Sequence, residues 1–152
     1  MNWTVQLPAN DFSAYEFSSD SGKKIVCKYN RSQGSLRLRS DDHYGVFMID
    51  GEQLINRKFV LSNVYGSEVG TVIKNLWHEN TGHIIFNHPT HKLHYKIDSY
   101  SSFIEISDKV INHFCELNSI PHPGREEHYM PVLISLAWMQ LVSSGVGLEK
   151  TV

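Results

Sequence analysis

The chain has 152 residues, enough for one domain with a core of ordinary size, and 41% of them are apolar, with seven Tyr, seven Phe and three Trp; that composition excludes a disordered or low-complexity chain. Fourteen basic residues against sixteen acidic ones give a net charge of −2, which excludes a nucleic-acid binder whose whole surface is basic. The two cysteines, Cys27 and Cys115, lie far apart and in no CxxC pair, which speaks against a disulfide framework or a thiolate zinc centre.

Met1-Asn-Trp-Thr-Val-Gln-Leu-Pro-Ala has no basic segment running into an apolar one, and the last residues carry no lipidation box. The expectation is a single cytoplasmic domain over 1–152 with reduced thiols.

From Trp3 to about Asp108 short aliphatic and aromatic runs are broken by turn residues about every 8–12 positions, the pattern of meandering antiparallel strands. The predicted strands are Trp3 to Leu7, Ala14 to Ser18, Lys24 to Asn30, Ser35 to Arg39, Gly45 to Ile49, Lys58 to Asn63, Val69 to Leu76, His83 to Asn87, Lys92 to Asp98 and Ser102 to Ser107. Between them fall Asp20-Ser-Gly22, Asn30-Arg-Ser-Gln-Gly34, Asp50-Gly51, Tyr65-Gly66-Ser67 and Asn80-Thr-Gly82. Gly, Asn and Asp reach positive φ cheaply, as tight hairpins require. Alternation is clean in places: Leu93, Tyr95 and Ile97 share one face, with Lys92, His94 and Lys96 on the other, so one face is buried and one is wet.

Beyond the meander, Asp108 is placed to cap a short helix with Val110, Ile111, Phe114 and Leu117 on one side; a strand is the weaker alternative there. Asn118 to Tyr129, with Pro121, Pro123 and Gly124, reads as a loop. Pro131 to Gly145 reads as a helix with proline in its first turn and glycine at its end. Val132, Leu133, Ile134, Leu136, Ala137, Trp138, Met139, Leu141 and Val142 cover nearly its whole circumference, so it must be enclosed. Crossing a bilayer takes about 20 apolar residues and this run is shorter, so enclosure by protein is expected. Its polar residues Ser135, Gln140 and Ser143 are too few for a helix lying in a membrane interface or docking elsewhere by one face.

Ten strands with one wet face and a helix apolar on every side have a joint solution: the sheet closes into a barrel and the helix threads it. The meander, with Tyr65-Gly-Ser-Glu-Val-Gly-Thr-Val-Ile-Lys74 near its middle, and Pro131 to Val142 as a terminal central helix make the chain resemble the tubby C-terminal-like superfamily: tubby proteins, LURP-one-related proteins and phospholipid scramblases. The resemblance is one of architecture over most of the chain. The chain is shorter than a full tubby domain and has no scramblase-type cysteine cluster. The resemblance implies a mainly β barrel around a hydrophobic helix, and recognition of phosphoinositide headgroups by basic residues on the barrel exterior.

One hairpin has the residues for that chemistry. In Lys23-Lys-Ile-Val-Cys-Lys-Tyr29 and Ser35-Leu-Arg-Leu-Arg39, Ile25, Cys27 and Tyr29 share a face, as do Leu36 and Leu38. By the period of two, Lys24, Lys28, Arg37 and Arg39 then project outward together, with Lys23 and Arg31 at the margins and no acidic residue between Ser21 and Ser40. Like charges facing one another across strands destabilise a sheet, so an anion, phosphate above all, relieves a cost. Against this stands a solvated basic face balanced by Asp20, Asp41 or Asp42.

Histidines form the second feature: His78, His83, His88, His91 and His94 lie within seventeen residues. Imidazoles bind zinc, but His91 and His94 differ by three, which places them on opposite faces of a strand, and no cysteine completes a set. No Gly-x-Ser-x-Gly elbow, His-Glu-x-x-His helix or phosphate-binding glycine loop is present. Cys27 reads as a buried small hydrophobe, Cys115 as half-exposed and Trp138 as core. The sequence therefore points to a non-enzymatic cytoplasmic binding module without a cofactor, its anion-binding residues Lys24, Lys28, Arg37 and Arg39, and its partner an anionic lipid headgroup at a membrane surface or an acidic protein. A metal protein or enzyme using the His83 to His94 segment, and a protein-interaction domain with no small ligand, are the competing classes.

Overall fold

A computed structural model describes residues 2–6, 13–30, 32–41, 43–53, 58–75, 77, 80–87, 90–98, 103–108, 112–117 and 130–143. They form eleven strands and a C-terminal helix: β1 (Asn2–Gln6), β2 (Ser13–Ser19), β3 (Lys24–Asn30), β4 (Ser35–Ser40), β5 (His43–Gln53), β6 (Lys58–Ser62), β7 (Glu68–Lys74), β8 (Thr81–Asn87), β9 (Thr90–Asp98), β10 (Phe103–Ser107), β11 (Asn112–Leu117) and α1 (Met130–Ser143). The fold is mainly β. All ten expected strands are present, with β5 running on to Gln53.

Neighbours in sequence pair antiparallel from β1 to β11, and β11 then pairs parallel with β1, Asn2 opposite Phe114 and Val5 opposite Leu117. An up-and-down meander with an odd number of strands returns to its start with the last strand pointing the same way as the first. A parallel pair is the only way such a run joins its two ends. The backbone groups on the outer edges of β1 and β10, which would otherwise be unpaired, are thereby satisfied.

β11 corrects the short helix expected after Asp108. Residues 109–111, including Val110 and Ile111, lie outside the described set, but Asn112–Leu117 is a strand paired on both sides. A six-residue segment gains at most a few intrahelical hydrogen bonds, whereas between two strand edges it is bonded along both; tertiary pairing outweighs the helical spacing of its apolar residues. The segment expected as a loop, 118–129, the half-exposed setting expected of Cys115 and the glycine stop at Gly145 also lie outside what is described.

Inward residues follow the period of two: Trp3 and Val5, Tyr15 and Phe17, Ile25 and Cys27, Leu36 and Leu38, Ile84 and Phe86, Leu93 and Tyr95, and Ile104 and Ile106 are all buried. They form one core with α1, in which every residue from Met130 to Met139 is buried. Fourteen residues at about 1.5 Å each fall short of a bilayer core, and no described helix is long and apolar enough to cross a membrane. The buried polar residue in this stretch, Ser135, donates its hydroxyl to the Pro131 carbonyl at 2.6 Å, so this hydroxyl is satisfied within the helix itself.

Glycines mark the tight places. Gly66 (φ 84°) lies in the β6–β7 turn, where Asn63 Oδ1 accepts from the Tyr65 and Ser67 amides at 3.0 Å each. Gly70 lies where a Cβ would come within 2.6 Å of the Ile85 carbonyl oxygen. The Gly-x-x-x-Gly spacing is thus a turn requirement followed by a packing requirement.

At Gly45 of β5 a Cβ would sit 2.9 Å from Trp138 Nε1, so α1 is packed directly against this strand. Gly45→Ala is expected to lower stability by about 1–3 kcal/mol; thermal unfolding curves of the variant and the wild type check this. Burial pushes the Cys27 thiol up to about 12, opposed by its contact with Ser135. Cys27 is therefore expected to resist alkylation at neutral pH until the protein unfolds, read by peptide mass spectrometry after labelling with and without denaturant.

Candidate functional site

The β3–β4 hairpin presents its cations as the alternation requires. Exposed and buried residues alternate along Lys24–Asn30 and Ser35–Ser40, and Lys24, Lys28, Arg37 and Arg39 are all exposed on the outer face. Lys28 lies directly opposite Arg37, while Arg39 faces Val26 on one side and Tyr44 of β5 on the other. Two residues join the patch that the charge pattern did not single out: Val26 is 41% and Tyr44 51% exposed. Val26 was within reach of the same parity argument, since it lies between Lys24 and Lys28. Tyr44 was not, because only the β4–β5 register brings it beside Arg39.

Lys24 differs from the other three. Its Nζ is 3.8 Å from Glu16 Oε1 on β2, both side chains being exposed, so the pair is screened by water and holds the lysine only loosely. Lys28, Arg37 and Arg39 have no ion-pair partner among the described residues; neither Asp20 nor Asp41 supplies one. Asp41 instead takes a left-handed turn conformation (φ 41°) after β4. Arg31 and Asp42 lie outside the described residues. The patch is thus three unpaired cations and one paired lysine around a valine and a tyrosine.

The histidines divide. His91 and His94 fall on opposite faces of β9, as their spacing requires. His91 Nε2 lies 3.4 Å from Asp108 Oδ2, close enough for an ion pair when protonated but without hydrogen-bond geometry. His83 and His94 face each other across the β8–β9 hairpin, with ring centroids 4.5 Å apart and planes at 74°. Each is four residues from the paired hairpin ends Asn87 and Thr90; equal distance from a turn is a signal the sequence carried. His78 and His88 lie outside the described residues. Among those described, no group of three or more His, Cys, Asp or Glu stands close enough to hold a metal ion.

Both histidines line a shallow depression of about 300 Å³ on the outer face, together with Glu105, Ser107, Lys96 and Asn75. Burial, then the charges of Lys92 and His94, lower the pKa of His83 below its ordinary 6.5. The folded chain therefore binds this proton more weakly than the unfolded chain. The stability linked to His83 is whole above pH 6.5 and is lost as pH falls toward the lowered folded value. His83→Asn is expected to flatten the acid limb of a stability profile recorded from about pH 8 to pH 5.

No protein family, no curated protein and no solved structure matches this chain.

Proposed function

We propose that the ring of strands is a closed barrel of the tubby C-terminal type, threaded by α1, and that it acts as a non-enzymatic module reading phosphorylated lipid headgroups on the cytoplasmic face of a membrane. The observation that carries this reading is the exposed, unpaired set Lys28, Arg37 and Arg39, with Lys24 beside them, on two adjacent strands. Lys28 directly opposite Arg37 is a like-charge cross-strand pair, a cost of a few tenths of a kcal/mol that a bound anion reverses. Arginine forks and a lysine ammonium suit phosphate oxygens.

Val26 and Tyr44 favour a membrane surface over an acidic protein or a free anion. A half-exposed valine and a tyrosine among cations match the interfacial layer, where an apolar body and a polar tip are both accommodated. Magnitudes favour a polyphosphorylated headgroup. At about 1 kcal/mol per cation near an anionic leaflet, four residues supply about 4 kcal/mol, an affinity near millimolar. Lys24, held by Glu16, contributes less. Stable association then needs several phosphates engaged at once, which phosphoinositides provide and singly charged lipids do not.

Co-sedimentation with neutral, phosphatidylserine and phosphoinositide vesicles at near-physiological salt tests this. Binding is expected chiefly to phosphoinositide vesicles, weakened by added salt, and lost in Arg37→Glu with Arg39→Glu. Equal binding of wild type and the double variant would overturn the reading, as would equal binding to neutral vesicles.

A further inference from the structure

On the opposite part of the strand ring, β8 and β9 join two imidazoles that the basic hairpin does not involve. Directly opposite positions on antiparallel strands hold their Cβ atoms about 4.5–5.5 Å apart, short enough for nitrogens of both rings to reach one ion at about 2.0–2.1 Å each. His94 is exposed, and the broad terminal torsion of histidine lets its ring turn from the edge-to-face contact toward a shared point. His83 Nδ1 is enclosed and has no hydrogen-bond partner. A half-turn of that ring exchanges Nδ1 with a carbon, so the nitrogen need not stay enclosed without a partner, and His83 lines the depression.

A third donor stands close by. β10 pairs Ser107 with His94 and Glu105 with Lys96, so Glu105 is a diagonal neighbour of His94 and lines the same depression. We propose that His83 and His94 chelate a late divalent transition-metal ion, with Glu105 swinging in as carboxylate ligand and water completing the shell. Imidazole nitrogen with one carboxylate selects Zn²⁺ and Cu²⁺ over Mg²⁺ and Ca²⁺, which require oxygen shells. The metal-free arrangement does not bring three donors to ligand distance, and Lys92 and Lys96 share the outer face of β9. Both features make this a weak, exchangeable site instead of a closed structural one.

Isothermal titration of the full chain with Zn²⁺, Cu²⁺ and Mg²⁺ tests the site, with circular dichroism to verify folding of each variant. One saturable equivalent of Zn²⁺ or Cu²⁺ and none of Mg²⁺ is expected. Affinity should fall about tenfold or more in His94→Asn and in His83→Asn, and by less in Glu105→Gln. His94 is exposed, so its variant keeps the test open even if His83→Asn folds poorly. Binding unchanged in His94→Asn would assign the metal to other histidines and overturn the site, as would absence of saturable binding in the wild type.

Discussion

A helix with no polar face governs this molecule. From Met130 to Met139 each residue of α1 is buried, and a helix apolar all round is stable in water only when apolar surface surrounds it on every side. One layer of sheet covers one side of a helix. Here the hydrogen-bonded order runs from β1 to β11 and brings β11 beside β1, and the inward strand residues share one core with α1. The strand residues that alternate inward supply the lining, and Gly45 is the point at which a side chain is omitted so that the Trp138 indole has room. Ser135 shows how strict the enclosure is, since its hydroxyl is accommodated by returning to the helix's own backbone.

Joining eleven strands in this way imposes a second constraint. β11 is held between an antiparallel neighbour, β10, and a parallel one, β1, so the chain termini of the meander are stapled by long-range pairing. Contacts between residues so distant in sequence form late and at a large loop-closure cost. The site of that staple is the place where local preference and final structure disagree: Phe114 and Leu117 have helical spacing, yet they lie in a strand.

With the interior committed to packing, chemistry is left to the outer face. Two features there are separated by β5, β6 and β7: cations on β3 and β4, and an imidazole pair on β8 and β9. The separation means that an anion at one and a metal ion at the other would not compete for ligands. Both are built from cross-strand neighbours, Lys28 with Arg37 and His83 with His94, and the physics is shared: groups that repel or leave a nitrogen without a partner are held together by backbone pairing. An exogenous partner relieves such an arrangement, whereas rearrangement within the sheet would break the register.

The outward set Lys24, Lys28, Arg37 and Arg39 was legible in the sequence because strand parity is local: a residue's face follows from its immediate neighbours, and Ile25, Cys27, Leu36 and Leu38 fixed it. The apolar helix was legible for the same reason. What only the tertiary structure decided were relations between strands distant from one another in sequence or set by register: Glu16 reaching Lys24, Tyr44 beside Arg39, and Asn112–Leu117 drawn into the sheet. His83 and His94 lie between these cases, since their equal distance from a turn was written in the chain but meant nothing until the hairpin register was known. Parity follows from bonded geometry, whereas register and closure depend on where the chain's hydrogen bonds end up across the whole sheet, and no short stretch of sequence contains that.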